Sequence, residues 1–238
     1  MNIALVGYGK MGTTIERFAK ERGHHISLVI DNHNKEDLNA QALKGTDVVI
    51  EFTHPDAALN NVLKCLKAGV PVVCGTTGWN DKLPQAQEAA LQADTAFIQS
   101  SNFSIGVHLF FEINSALAQI MNHYPDYDVS IEEVHHIHKK DAPSGTAITL
   151  AERVLQHLQH KKNWQLAPAS NNDLIAIDAK RIDEVPGTHS IFYSSDIDTI
   201  SLTHTAHNRE GFAKGAVVAA EFLVGKKGVF TMKDVLGL

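Results

Sequence analysis

The sequence predicts an α/β fold: an N-terminal domain built on a parallel sheet, followed by an α+β domain with a mixed sheet. Three observations carry this. A glycine-rich turn joins the first strand-like run to a helix-like one. Short apolar runs then alternate with helical segments as far as Phe103, and beyond it the pattern changes.

MNIALV is a short apolar run that stops at Gly7, and Gly7-Tyr8-Gly9-Lys10-Met11-Gly12 leads into TTIERFAKERG, whose apolar residues recur at helical spacing. In such a strand, turn and helix the first glycine permits the tight turn, the second lets a pyrophosphate approach the backbone, and the third lets the helix pack close to the strand. The first domain therefore reads as a Rossmann-type dinucleotide-binding domain, with phosphate at the helix N-terminus. The next run, HISLVID, ends in Asp31, whose carboxylate can accept hydrogen bonds from an adenosine ribose. DVVIEFTHP at 47–55, VPVVCGTTG at 70–78 and TAFIQSSNF at 95–103 are further strand-like runs that end in small polar residues. Right-handed crossovers bring Thr53, then Gly75, Thr76 and Thr77, then Ser100, Ser101, Asn102 and Phe103 to the same carboxyl edge as Gly7. Ligands of α/β sheets bind at that edge.

After Phe103, VHLFFEINSALAQIMNHY is a long apolar-faced segment, VSIEEVHHIH suits a strand and TAITLAERVLQHL a helix. Runs at 174–183, 188–193 and 197–205 suit strands, with Pro186-Gly187 as turn punctuation. These elements predict a substrate-binding and oligomerisation domain over 104–207, joined by short hinges near 103 and 207 to a dinucleotide domain over 1–103. The apolar last helix, GFAKGAVVAAEFLVG, is expected to carry 208–238 back to the first domain.

A length of 238 residues suits two modest cores, and 44% hydrophobic with 20% charged residues suits an ordinary globular protein. No apolar run is long enough to cross a bilayer and no charged-then-apolar leader is visible, so a cytoplasmic protein without a membrane partner is expected. A net charge of -6 excludes broad nucleic-acid binding. Cys65 and Cys74 lack metal-type or disulfide-type spacing and read as reduced thiols.

Residues 135–147, HHIHKKDAPSGTA, concentrate the chemistry. His135, His136 and His138 can give or hold a proton near neutral pH, Lys139 and Lys140 add positive charge, and Asp141 to Thr146 turn into a helix. The N–H groups and dipole at that helix start can hold a carboxylate beside Ser144, Gly145 and Thr146, although Ser144 and Thr146 also suit ordinary N-capping. If the strand runs through 139, period two puts His135, Ile137 and Lys139 on one face and turns His136 away. A rival reading is a metal-dependent hydrolase or lyase with His136 and His138 as ligands on one strand face, and His123 or Glu132 as a third. Lys139 and Lys140 would repel the ion, so no metal is expected. A non-catalytic dinucleotide sensor would share the first domain but would not need a His–Lys pair beside an anion site.

With HHIHKKDAPSGTA at 135–147, GYGKMG at 7–12, GTTG at 75–78, SSNFSIG at 100–106 and THTAHNREGFAKGA at 203–216, the chain closely resembles the 4-hydroxy-tetrahydrodipicolinate reductase family over its whole length. The resemblance implies NAD(P)H-dependent reduction of a cyclic dicarboxylate, 4-hydroxy-tetrahydrodipicolinate, to tetrahydrodipicolinate with loss of water, in lysine and diaminopimelate biosynthesis. It also implies a homotetramer built through the substrate-domain sheets. His135 matches the family's general acid, and Lys139 the cation that assists protonation and engages a substrate carboxylate. His136, Ser144, Gly145 and Thr146 match substrate-binding positions, and the glycine turn at 7–12, Asp31, Gly75 to Thr77 and Ser100 to Phe103 the cofactor site. Two positions depart from the pattern: Ile137 stands where a basic residue is frequent, and Asn32 where many relatives carry arginine. An arginine there would pair with the 2′-phosphate of NADPH, whereas Asp31 repels it and binds the 2′-hydroxyl of NADH. NADH preference, or use of both cofactors, is expected, with His33 and Lys35 the nearby cations for a phosphate.

Overall fold

The structure is a computed structural model that describes residues 1–238. It divides into two compact units, Met1–Ile105 with Glu210–Leu238, and Gly106–Arg209. Each join lies slightly beyond the break read from the sequence pattern.

The first unit holds β1 (Asn2–Val6), α1 (Lys10–Glu21), β2 (His25–Ile30), β3 (Val48–Glu51), α2 (Pro55–Lys67), β4 (Val72–Cys74), α3 (Leu83–Gln92) and β5 (Ala96–Gln99). Its strands are all parallel, and Phe97 and Ile98 of β5 also pair with a later strand, Val229 and Phe230. A parallel sheet must be covered on both faces, and the strands are accordingly apolar throughout. Ile3, Leu5, Val48, Ile50 and Ile98 pack on one face with Ile15 of α1, while Ala4, Val6, Val49, Val72 and Phe97 pack on the other with Val62 and Leu66 of α2. The reversal of strand order lies between β1 and β3, so the loops after these two strands open a crevice.

The second unit contains nearly all of α4 (Ile105–Met121), then β6 (Asp128–His135), α5 (Gly145–Leu155), β7 (Asn163–Leu166), β8 (Leu174–Arg181), β9 (Gly187–Ser194) and β10 (Thr199–Ala206). The sheet order is β10-β9-β6-β8-β7, with β6 antiparallel to β9 and parallel to β8, so the sheet is mixed as expected. Alternation along β6 buries Val129, Ile131, Glu133 and His135 on one face. Val129 and Ile131 join Leu150, Val154, Ile177, Ile191 and Tyr193 in a core under α4 and α5. Two polar residues, Glu133 and His135, thus continue a core stripe to the strand's carboxyl end.

The chain then returns to the first unit through α6 (Glu210–Leu223), β11 (Gly228–Phe230) and α7 (Met232–Leu236). Ala213, Ala216, Val217 and Ala220 pack into the same core as Ile3 and Leu5. Small residues let α6 approach closely: a Cβ on Gly215 would lie 1.7 Å from the Phe103 carbonyl oxygen.

Candidate cofactor cleft and candidate active site

A cleft of about 690 Å³ opens at the carboxyl edge of the first sheet, lined by Gly7, Tyr8 and Gly9, by Asp31, Asn32, His33 and Lys35, and by Thr53, Asn61 and Lys64. A smaller hollow of about 250 Å³ is lined by Met11, Phe52, Thr53, Pro55, Gly75, Thr76 and Thr77. The three glycines of the first turn do different work. Gly7 has φ +98° and a Cβ there would lie 1.9 Å from the Phe52 carbonyl oxygen, while a Cβ on Gly12 would lie 2.2 Å from the Gly7 oxygen. Only glycine fits either place. Gly9 meets nothing within 4 Å, caps α1 without a side-chain acceptor, and leaves the helix's first N–H groups without a cap. A pyrophosphate fits there: the backbone is open to approach and the helix start favours an anion.

Asp31 stands at the cleft, but one carboxylate oxygen accepts the His33 N–H at 2.7 Å and so holds the turn that follows β2. The other nearby cation, not foreseen from sequence, is Lys64. It shares the cleft face of α2 with Ala57, Asn60 and Asn61 at helical spacing, a signal that was present in the chain but uninformative until α2 was placed. Six expected cofactor positions line neither cavity. Ser100 and Asn102 bond to one another's loop, with Ser100 Oγ donating to the Asn102 carbonyl oxygen at 2.6 Å. Ser101 is exposed beside them. Phe103 is 1% exposed in the core, its ring 5.9 Å from that of Phe52. Lys10 is the first residue of α1 and is exposed, and Gly12 is a packing position.

In the second unit, β6 ends at His135, and the Lys139 N–H donates to the His136 carbonyl oxygen at 3.1 Å. This turn overturns the expectation that period two runs through 139, and with it the pairing of His136 and His138 as metal ligands on one strand face. His136 Nε2 meets Arg209 at 2.9 Å and His138 Nε2 meets Glu184 at 3.1 Å. The groups that do converge are Glu133, His135 and His189. Register explains it: Glu133 lies opposite His189 of β9, and His135 opposite Arg181 of β8. Glu133 is fully buried, accepts the Ser144 N–H at 3.1 Å on both oxygens, and pairs with Arg181 Nη2 at 3.1 Å. Its Oε2 lies 3.4 Å from His135 Nδ1 and 3.7 Å from His189 Nε2.

These neighbours set the protonation states. Burial alone pushes the Glu133 carboxyl up, but His189, Ser144 and the positive charge available on His135 outweigh it and hold it at about 2. Burial, reinforced by His189, Lys139 and Arg181 against the opposing pull of Glu133, lowers His135 to about 4. In the free protein at neutral pH, His135 is therefore neutral beside an ionised Glu133. His135 Nδ1 is turned to Glu133 without a hydrogen bond. Nε2 faces Gly187, where a Cβ would lie 3.1 Å away. The missing side chain leaves that nitrogen room.

Lys139 Nζ is 2.9 Å from both oxygens of Asp141, and Arg181 ties the same segment by donating to the Lys139 and Asp141 carbonyl oxygens at 3.3 and 2.5 Å. Ser144 is 3% exposed and is the N-cap of α5: its Oγ accepts the Ala147 N–H at 3.2 Å and sits 3.2 Å from His189 Nε2. Its bonding groups are committed inside the protein, as the capping alternative had it. Gly145 is exposed with nothing within 4 Å of a Cβ, and Thr146 is half-buried next to it. The N–H groups of these two open the helix.

Two family models match the chain: dihydrodipicolinate reductase, N-terminus, over residues 1–103, and dihydrodipicolinate reductase, C-terminus, over residues 106–236. The chain belongs to the dihydrodipicolinate reductase family. Among curated relatives, the 4-hydroxy-tetrahydrodipicolinate reductase of Christiangramia forsetii is 53% identical, covering 99% of this chain and 98% of that one. The enzyme of the same name from Methanoculleus marisnigri is 36% identical over 82% of this chain and 77% of its own. Among solved structures, the dipicolinate-bound dihydrodipicolinate reductase of Paenisporosarcina sp. TG-14 superposes with a TM-score of 0.79 at 25% identity, covering 97% of each chain. A diaminopimelate dehydrogenase from C. glutamicum, at 14% identity and a TM-score of 0.56 over 98% of this chain and 92% of its own, shares the fold. As a member of the dihydrodipicolinate reductase family the chain is an oxidoreductase that uses NAD(P)H in lysine and diaminopimelate biosynthesis, and the hydrolase and sensor readings fall away. No helix is long and apolar enough to cross a membrane.

Proposed function

We propose that the chain reduces 4-hydroxy-tetrahydrodipicolinate to tetrahydrodipicolinate with loss of water, that the first unit binds the dinucleotide and the second the substrate, and that His135 and Lys139 carry the chemistry. The observation that carries the residue assignment is one buried carboxylate, Glu133, bonded at once to the start of α5 and to Arg181 and lying against His135. When bound, the dinucleotide supplies hydride. The N–H groups of Gly145 and Thr146 and the α5 dipole hold one substrate carboxylate, a dipole contribution of about 0.3–1 kcal/mol. Lys139, released from Asp141, takes the other, with His136 and Arg209 beside it.

Hydride addition leaves negative charge on the ring that a proton must quench. His135 holds and delivers that proton at Nε2. Burial, with the charges of Lys139 and Arg181, keeps His135 neutral in the free protein; a bound dianion offsets those charges, so substrate binding raises its proton affinity at the moment a proton is needed. Asp31 supports NADH, and the cleft-lining cations His33, Lys35 and Lys64 support acceptance of NADPH as well, so both cofactors serve. The working form is a cytoplasmic homotetramer assembled through the sheets of the second unit, without metal, nucleic acid or membrane.

The test is NADH oxidation with freshly generated 4-hydroxy-tetrahydrodipicolinate. His135→Ala is expected to lose roughly 10²–10⁴-fold in kcat, the range for a general acid. Lys139→Ala is expected to lose kcat and raise the substrate KM together. A His135→Ala rate near that of the native enzyme would overturn the assignment.

A further inference from the structure

We propose that Glu51 is a positioning residue of the cofactor cleft, turning the hydroxyls of Thr53 and Thr76 so that they present acceptor oxygens to the dinucleotide; this rests on the reading of that cleft as the dinucleotide site. Glu51 is the last residue of β3 and is 0% exposed. A carboxylate so placed survives only if its oxygens are satisfied, and here no cation does so. Four neutral donors do. Thr53 Oγ1 and, at 3.4 Å, Asn61 Nδ2 donate to Oε1. Cys74 Sγ at 3.0 Å and Thr76 Oγ1 at 2.7 Å donate to Oε2.

These donors come from the loop after β3, from α2, from the end of β4 and from the loop beyond it, so one side chain ties together the loops that form the crevice. Thr53 and Asn61 line the larger cavity, and Thr53 and Thr76 the smaller one. The chain of bonds has a direction. A carboxylate only accepts, so the hydroxyl hydrogens of Thr53 and Thr76 point to Glu51. Thr76 Oγ1 must then be an acceptor on its other side, and it takes the Thr53 N–H at 2.7 Å. Thr53 Oγ1 accepts from Asn61 Nδ2 at 3.3 Å and keeps one further lone pair. Ligand hydroxyls and amide N–H groups are welcome at such an oxygen, and phosphate oxygens are not. The phosphates are thereby left to Gly9 and the start of α1. A neutral amide at position 51 breaks the direction, because its NH₂ group faces two donors and one hydroxyl must reverse.

The experiment titrates the full chain with NADH by cofactor fluorescence and measures steady-state reduction. Glu51→Gln is expected to raise the NADH Kd about 10-fold, equivalent to about 1.4 kcal/mol, while kcat at saturating cofactor stays within about twofold. Thr76→Val should raise Kd comparably and Thr76→Ser should restore native affinity; this pair decides the matter even where the Gln variant does not fold. Because the groups form one chain, the Glu51→Gln/Thr76→Val double variant should be no weaker than the weaker single variant. Unchanged NADH affinity in Glu51→Gln, Val and Ser behaving alike at 76, or losses that multiply in the double variant would each overturn the proposal. A native protein that binds no NADH would overturn the cleft reading and the proposal with it.

Discussion

Lowering the pH should weaken this fold through His135 in particular, by an amount that follows from its surroundings. His135 is 8% exposed, and its imidazole is held at about 4, against 6.5 when free. Its folded pKa lies below its unfolded one, so between these values the unfolded chain binds the proton and the folded chain does not; stability is intact above the unfolded pKa and falls as pH drops toward the folded one. At pH 5 protonation favours the unfolded state by about 2 kcal/mol, against only ~0.2 kcal/mol at pH 7. The His135 contribution to acid destabilisation over that interval is therefore about 2 kcal/mol. His135→Gln, which cannot titrate, should remove it. Urea unfolding of native and variant chains at pH 7 and pH 5 is the assay: the native chain should lose about 2 kcal/mol more than the variant. Parallel losses in the two chains would refute the argument that this histidine is buried neutral.

Other perturbations separate roles that the sequence motif runs together. Gly7→Ala forces a Cβ to within 1.9 Å of a carbonyl oxygen at a φ of +98° and should cost a few kcal/mol, read as a drop in Tm. A Cβ on Gly9 would meet nothing within 4 Å, so in Gly9→Val Tm should hold while NADH affinity falls roughly 10-fold or more; a matching loss of Tm would count against an open phosphate seat at Gly9. Lys64→Ala should lower kcat/KM for NADPH about 10-fold and leave that for NADH within about twofold. Equal effects on the two cofactors would remove Lys64 from phosphate recognition, and a large NADPH advantage in the native enzyme would sink the role given to Asp31.

Local signals made the first unit legible. A switch from apolar run to glycine turn to helical spacing marks β1 and α1 without reference to anything distant, and the same holds for β3, β4 and β5. Short elements escaped: β7 has four residues and β11 three, and α7, with five, carries a Thr231–Asp234 capping box whose hydrophobic run is too short to announce a helix. In the second unit His135 and Lys139 were visible as residue types, but their arrangement was not. The strand's end at His135 depends on the turn closed by Lys139, and the meeting of Glu133 with His189 depends on register between strands more than fifty residues apart in sequence. Glu51 was hidden for the same reason: its partners at 61, 74 and 76 lie on three other segments. Phe103 misled, because a residue at the ligand edge of a sheet can still point into the core.

The return of α6 to the first unit gives the chain an order of assembly. Residues 106–209 are continuous and carry their own core, so this body can be complete while the chain beyond it is still being made; the sheet of β1 to β5 must wait, one apolar face only partly covered by α1, for Ala213 to Leu223. The gap that the late helix must span is already filled by a folded body with a fixed distance between its ends, so closing it costs far less chain entropy than closing a disordered loop of the same length. Circular permutation that makes the first unit continuous would abolish that dependence.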